Sequence, residues 1–230
     1  MAKEKQKKQA TIYFKKDRKG RPVSHLMNFL RIFIIPIIWI FFPFRFYGNR
    51  KVQKGGCIYI GNHYRVWGII FPACTTWEAI HFLAKNSLSK NKFLNFFCNS
   101  FKTINVTRDG NDVRAILDCI KCLKNGEKIS LYPEGTRNKT EQEFLPFKSG
   151  AAAMAIKAKV PIVPILIYKR QRLFRMSHIL IGEPFTLDEF YDRRLTEEDY
   201  QKADEILYQK LVSMRQEHAL MLESKKKIKA

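Results

Sequence analysis

The chain has 230 residues, 46% of them hydrophobic, enough for one sizeable core. Charged residues make up 27%, close to the globular norm of about 25%, so neither global disorder nor a disulfide miniprotein fits. The 42 Lys and Arg against 21 Asp and Glu leave a net charge of +21. The expected partner is polyanionic: nucleic acid, an anionic membrane surface or an acidic carrier protein.

In chain order, residues 1–24 read as a basic tail. Lys3, Lys5, Lys7, Lys8, Lys15, Lys16, Arg18, Lys19 and Arg21 face only Glu4 and Asp17, and such a tail is expected to be disordered in isolation. Residues 25–47 change character. Leu26–Phe46 is intensely apolar, Ile32–Phe44 carries no charge, Arg31 and Arg45 bracket that run, and Pro36 and Pro43 interrupt it. A spanning helix needs about 20 uninterrupted apolar residues, and no small-residue cleavage site follows to suggest a signal peptide. The composition therefore predicts a helical element lying in, or dipping into, one leaflet beside a polybasic stretch. The competing reading is a buried N-terminal helix. Against it, Phe29, Phe33, Trp39, Phe41, Phe42, Phe44, Phe46 and Tyr47 exceed what one core-facing stripe hides.

Residues 50–230 read as a single α/β domain, a mixed sheet covered by helices on both faces. Apolar runs predict strands at Cys57–Ile60, Thr103–Val106, Ile129–Tyr132, Ile162–Tyr168 and Ile179–Ile181. Helical spacing predicts helices at Ile69–Ala79, Leu88–Phe101, Val113–Leu123, Ser149–Ala158 and Thr196–Glu217. The last has a capping-box start at Thr196-Glu197-Glu198-Asp199. Pro161 and Pro164 remove two donors from the Ile162–Tyr168 run, which predicts an edge or irregular strand. The five cysteines suggest a reducing setting. Cys119 and Cys122 form a C-x-x-C inside a helical pattern with no second Cys/His pair to complete a zinc site, so they are expected to face the core.

Four clusters carry polar chemistry at strand ends. Gly61-Asn62-His63 follows the first strand of the domain. Asn105-Val106-Thr107-Arg108-Asp109-Gly110 ends another. Leu131-Tyr132-Pro133-Glu134-Gly135-Thr136-Arg137 is the densest, with a glycine for close backbone approach or positive φ, a hydroxyl, and a planar guanidinium fork suited to phosphate. The bland alternative for this loop is a turn with a Glu134–Arg137 surface pair. Val160-Pro161-Ile162-Val163-Pro164-Ile165 is the fourth.

Together these four resemble the glycerolipid acyltransferase family, specifically 1-acyl-glycerol-3-phosphate acyltransferases of the PlsC type. The family blocks are Asn-His-x4-Asp, an Arg after an apolar stretch, Phe/Tyr-Pro-Glu-Gly-Thr-Arg, and Val-Pro-Ile-x-Pro. Blocks two to four stand here in order, over residues 55–185, with Ala84-Lys85 and Phe147-Lys148-Ser149-Gly150 as further family-like segments. The resemblance implies that His63 is the general base toward the acceptor hydroxyl. It also implies that Arg108, Glu134, Gly135, Thr136 and Arg137 bind the acceptor's phosphate, and that no metal or cofactor is needed. The co-substrate would be acyl-CoA or acyl-acyl-carrier-protein, the acceptor lysophosphatidate, the product phosphatidate. The location implied is the cytoplasmic face of the cell membrane, held monotopically or peripherally on anionic lipids.

One position departs. Five residues after His63, where the family has its Asp, stands Gly68. In the triad logic, a carboxylate fixes the imidazole tautomer and stabilises the imidazolium; glycine does neither. Glu78, ten residues on, is too far along a helix to substitute. The chain is thus either an inactivated variant of an active enzyme or a homologue with lost or altered chemistry, and the intact remaining blocks favour the former. A non-catalytic lipid-binding homologue is the alternative function. Nucleic-acid binding rests on charge alone: zinc-finger spacing, an RNA-recognition aromatic motif and a helix-turn-helix are all missing.

Overall fold

The computed structural model describes residues 12–85, 92–106, 113–148 and 150–227. A seven-stranded mixed sheet forms the centre. Its strands are β3 (Phe44–Gly48), β4 (Cys57–Gly61), β5 (Ile80–Lys85), β6 (Ile104–Val106), β7 (Lys128–Leu131), β8 (Ile162–Ile167) and β9 (Ser177–Ile181), in the order β3-β9-β8-β4-β7-β5-β6. All neighbours run parallel except β8 and β9.

Alternation along each strand splits the core in two. Ile58 and Ile60 of β4 face one side, where α5 (Val113–Lys124), α6 (Ala151–Ala158) and α7 (Glu197–Lys227) pack. Cys57 and Tyr59 face the other, where Met27 and Phe71 come from α1 (His25–Phe29) and α3 (Ile70–Thr75). The alanines of α6 let its backbone lie close to the sheet, and Cys119 and Cys122 are fully buried on α5, as their helical spacing predicts. At α7 the capping box forms: Thr196 Oγ1 accepts from the Asp199 amide at 3.3 Å, and Asp199 Oδ2 accepts from the Thr196 amide at 2.9 Å.

Four expectations are corrected. First, residues 12–24 are part of the fold. Lys15–Lys16 (β1) pairs with Pro22–Val23 (β2), Phe14 is buried, and its amide donates to Glu127 at 3.0 Å. Asp17 closes the turn by accepting from the Lys19 and Arg21 amides, an Asx-type closure that composition conceals. Second, Phe44–Gly48 is not membrane segment but the sheet's edge strand, paired along its whole length with β9. Third, the predicted Ile69–Ala79 helix stops at Thr75, and β5 begins at Ile80.

Fourth, β8 is interior. Its Ile162 amide donates to Phe185 O, and Pro164 O accepts from the Gly182 amide. The missing Pro164 donor therefore falls on the β9 side between Gly182 and Phe185, where the partner has left the regular ladder. Of the Leu88–Phe101 helix, Lys92–Ser100 (α4) is described.

The N-terminal apolar run forms a short helical rod: α1, a π-helical turn over Leu30–Ile34, then α2 (Ile35–Phe41) with Pro36 in its first turn. A widened turn just before a proline accommodates the missing amide. Arg31, which borders the uncharged run, is buried. It turns inward and donates to the carbonyls of Ala73 (2.8 Å), Trp77 (3.0 Å) and Glu78 (2.6 Å), tying the rod to the domain. Burial lowers its pKa to about 10.

Candidate active site

The parallel strands bring β4, β5, β6 and β7 to a common carboxyl edge, where open α/β sheets place their sites. Gly61 ends β4; a Cβ there would stand 2.4 Å from Ile165 O, so only glycine lets β4 approach β8 so closely. The next residue, Asn62, is fully buried. Its amide donates to Ile167 O at 2.9 Å, and its oxygen accepts from the Ile167 amide at 2.8 Å. This two-way clamp fixes the start of the loop that carries His63.

His63 is held by its backbone. Its amide donates to Glu134 Oε1 at 3.0 Å, and its carbonyl accepts from the Asn138 amide at 2.7 Å. Glu134 is 1% exposed and also accepts from the Leu145 amide at 3.3 Å. Its burial raises its pKa, and the two amides pull in the opposite direction. Glu134 is therefore not in position to meet a phosphate. It braces the backbone, and no surface pair with Arg137 forms because the carboxylate is turned inward.

The imidazole itself is less constrained. It stacks on Tyr132, with centroids 4.3 Å apart and planes 11° from parallel. Nδ1 is buried without a hydrogen-bond partner, and so is the Tyr132 hydroxyl. Burial, reinforced by the charge of Arg137, lowers the His63 pKa to about 4.

Gly68 lies in the 3-10 turn Val66–Ile69, beside the hydroxyl end of Tyr132. A Cβ on Gly68 would stand 3.2 Å from the Tyr132 hydroxyl and 3.4 Å from Ile167 Cδ1. A cavity of about 10 Å³ beside it is walled by Ser130, Tyr132, Phe71 and Ile167. Tyr132 thus bridges the histidine and the position that lacks a carboxylate. Glu78 does not deputise, because it pairs with the buried Lys128 at 2.8 Å.

The loop after Tyr132 takes the shape that its glycine suggests. Gly135 has φ +63°, and the aliphatic stem of Lys148 lies over it, 2.8 Å from where a Cβ would be. Lys148 is anchored by its amide to Pro133 O at 2.8 Å. Thr136 and Arg137 are exposed at the loop tip. The structure thus gathers His63, Gly68, Gly135, Thr136 and Arg137 at one strand edge, while Arg108 lies outside the described residues.

Three contributors carry no sequence-level role. Asn62 could have been found as a polar residue at the end of an apolar strand, where burial demands partners. Lys148 stands out only as part of the family-like Phe147-Lys148-Ser149-Gly150 segment, and the bridging position of Tyr132 leaves no local signal.

A buried trio of His81, Cys122 and Glu127 has its ligand atoms within 4.8 Å of one another. Glu127 already accepts from His81 Nε2, the Phe14 amide and the Asn125 side-chain amide. Burial, with Glu127 adding to it, pushes the Cys122 thiol well up. This is a hydrogen-bonded core node that fastens residues 12–16 to the sheet.

Comparison with known proteins bears on this edge directly, because the model of the family described as Acyltransferase matches residues 43–168, from β3 to just past β8. The chain belongs to that family. A 1-acyl-sn-glycerol-3-phosphate acyltransferase of Bacillus subtilis is 33% identical over 116 residues, 48% of this chain and 57% of that protein. The Saccharomyces cerevisiae protein of the same name is 35% identical over 131 residues, 52% of this chain and 41% of that protein. The chain thus spans about half the length of the curated relatives it matches. The crystal structure of PlsC from Thermotoga maritima, a 1-acyl-sn-glycerophosphate acyltransferase, superposes with a TM-score of 0.59 at 22% identity, covering 82% of this chain and 79% of that one. That likeness establishes the acyltransferase fold.

Proposed function

We propose that this chain moves a fatty acyl group from an acyl thioester, acyl-CoA or acyl-acyl-carrier-protein, to the free hydroxyl of lysophosphatidate, with turnover held low by Gly68. The reading rests on one arrangement: a backbone-braced His63 beside the Gly135 loop, where Arg137 and Lys148 offer two cations to a phosphomonoester. The lysophosphatidate acyltransferases among its relatives support the choice of acceptor.

In the reaction, the free ring nitrogen of His63 takes the proton of the acceptor hydroxyl as its oxygen attacks the thioester carbonyl carbon. The C–S bond then breaks, and the imidazolium returns the proton to the leaving thiolate. With a pKa of about 4, the imidazole is neutral and available near pH 7. The same burial penalises the imidazolium formed in the transition state, and without a carboxylate at 68 nothing offsets that charge. Tyr132 keeps the ring in plane but supplies no negative partner.

The chain is also proposed to act at a membrane surface. Phe29, Ile32, Phe33, Ile37, Trp39 and Ile40 are each about half exposed along the α1–α2 rod, an apolar face beside a basic N-terminal stretch. Among the described residues, no helix is long and apolar enough to cross a membrane, so the rod would lie in the interface. Residues 1–24, the rod and the α/β domain from residue 50 are then three roles rather than three units, because β1–β2 and β3 pack on the domain.

Gly68 favours a second reading, a lipid-binding homologue without turnover. Acyl transfer to lysophosphatidate by the purified chain decides between them. The first reading expects slow turnover proportional to enzyme and abolished by His63→Ala, while bound lysophosphatidate with no product at any enzyme concentration selects the second.

A further inference from the structure

The hairpin between β8 and β9 has a composition that neither the catalytic edge nor the sheet requires. Lys169-Arg170-Gln171-Arg172-Leu173-Phe174-Arg175-Met176 holds four cations, three large apolar residues and no acid. Leu173, Phe174 and Met176 are 55%, 63% and 48% exposed, although apolar side chains at a turn tip would ordinarily fold back.

The tip is well defined. Arg172 and Arg175 form a bridge, and the Arg175 amide donates to Arg172 O at 3.1 Å. Phe174 is held at φ +53°, a left-handed conformation that suits glycine or asparagine and strains a bulky residue. A phenylalanine kept there, pointing to solvent, is placed against local preference, which is the kind of outlier that marks a functional contact.

The hairpin is continuous with the rod. The Phe174 amide donates to Phe41 O at 2.7 Å, the two rings stand 5.9 Å apart, and the Ser177 amide donates to Pro43 O at 2.8 Å. Its root reaches the active edge. Arg170 lies over the Tyr64 ring, 5.2 Å from its centroid, and donates to Thr140 O. Tyr64 is the residue after His63, and Asn62 clamps Ile167, the last residue of β8.

We propose that Arg172–Met176 is a second membrane-inserting element, which seats Leu173, Phe174 and Met176 at the headgroup–acyl boundary of an anionic bilayer, while Arg172 and Arg175 pair with lipid phosphates. Charge complementarity and continuity with the rod select this occupant. Arginine stems lie along apolar surface with the guanidinium in the headgroup layer, and each basic residue near an anionic surface adds about 1 kcal/mol, or roughly fivefold in partition. With the rod and the hairpin seated side by side, the bilayer plane is set relative to His63, so a lipid acceptor reaches the site without leaving the membrane. The proposal rests on the membrane-surface reading above.

The test is flotation of the full chain with vesicles of phosphatidylglycerol and phosphatidylcholine. Leu173→Ser with Met176→Ser should weaken partition about tenfold or more. Phe174→Gly should weaken it as well, while leaving the melting temperature unchanged or raised, because glycine relieves the left-handed strain. Phe174→Trp should give added fluorescence that acyl-brominated lipids quench.

A wild-type chain that stays unbound at low salt overturns the membrane reading itself. The hairpin alone is overturned by a different pattern. There the wild type floats and loses flotation on Ile37→Ser with Ile40→Ser, yet the hairpin variants float unchanged and the added fluorescence of Phe174→Trp is not quenched. A hairpin variant that converts a dimer to a monomer with partition unaltered overturns it too, because the tip would then be a contact between copies.

Discussion

The two sides of His63 are built differently. On the Glu134 side the groups that hold the loop have partners: the His63 amide on Glu134, its carbonyl on the Asn138 amide, and the second Glu134 oxygen on the Leu145 amide. On the ring side, which Gly68 adjoins through Tyr132, two buried polar atoms, His63 Nδ1 and the Tyr132 hydroxyl, have none. The first side places the histidine and the second would tune it. On the proposed reading, scaffold and chemistry are separately encoded, because the His63 backbone is held although position 68 carries no carboxylate.

The largest expected effect comes from filling the second side. Gly68→Asp should raise kcat for acyl transfer by roughly 10²–10⁴, by analogy with the loss when a triad Asp is replaced, and leave the acceptor KM nearly unchanged. Gly68 does not need a glycine backbone, and the new carboxylate offers the orphan Tyr132 hydroxyl an acceptor. Tyr132 must yield a few tenths of an ångström to a Cβ now 3.2 Å away. A folded Gly68→Asp chain with no gain in turnover would remove pairing between His63 and a carboxylate at position 68 from the mechanism.

Breaking the first side is the next largest change. Glu134→Ala strands the amides of His63 and Leu145 in the interior, a loss of about 2–4 kcal/mol, readable as a lower urea midpoint at unchanged slope. Wild-type stability in that variant would mean that water serves the two amides as well as Glu134 does.

Arg137→Lys tests the phosphate subsite. Arg137 is exposed, so the effect is modest: about 1–2 kcal/mol, a 5- to 30-fold rise in acceptor KM with the donor KM little changed. Lys148→Ala should act in the same direction. Equal rises for donor and acceptor would dissociate this loop from the phosphate.

The smallest effect is on pH dependence. The folded pKa of His63 is lowered to about 4 from 6.5, so the unfolded chain binds this proton first. Stability from this group is complete above pH 6.5 and is lost as pH falls from there toward 4. In Gly68→Asp the carboxylate raises the folded value, so that loss should shrink and the His63 imidazole resonances should titrate at higher pH. Identical His63 titration curves in the two chains would show that position 68 does not sense the ring.

Much of this is legible in the sequence. Cys57–Ile60 and Ile129–Leu131 announce themselves as short apolar runs stopped by Gly61 and Pro133. Tyr132–Arg137 concentrates a glycine, a hydroxyl and a guanidinium after one of them. What escapes is settled at long range. β5 hides because His81 breaks its apolar run, and Glu127, which compensates, lies 46 residues away. β3 hides because its aromatic residues, Phe44, Phe46 and Tyr47, read as a continuation of the apolar rod, and its partner β9 lies far along the chain. Pro164 suggests an edge for β8, because the sequence does not show that its missing donor falls where Gly182–Phe185 leaves the ladder. Glu134 reads as a ligand because a sequence does not show which way a carboxylate turns.

The wrapping of the N-terminal segment has a consequence for how the chain is made. Its most apolar stretch is synthesised early, but Tyr47 of β3 contacts His178 of β9, 131 residues later. At about 5–20 residues per second, that partner follows after roughly 7–25 seconds. Through that interval the strand that ends the rod has no neighbour to pair with, and the rod's apolar face stands open. A bilayer surface near the ribosome would be the first apolar phase to receive it. Translation in the presence of anionic vesicles should therefore give more folded chain than translation followed by their addition.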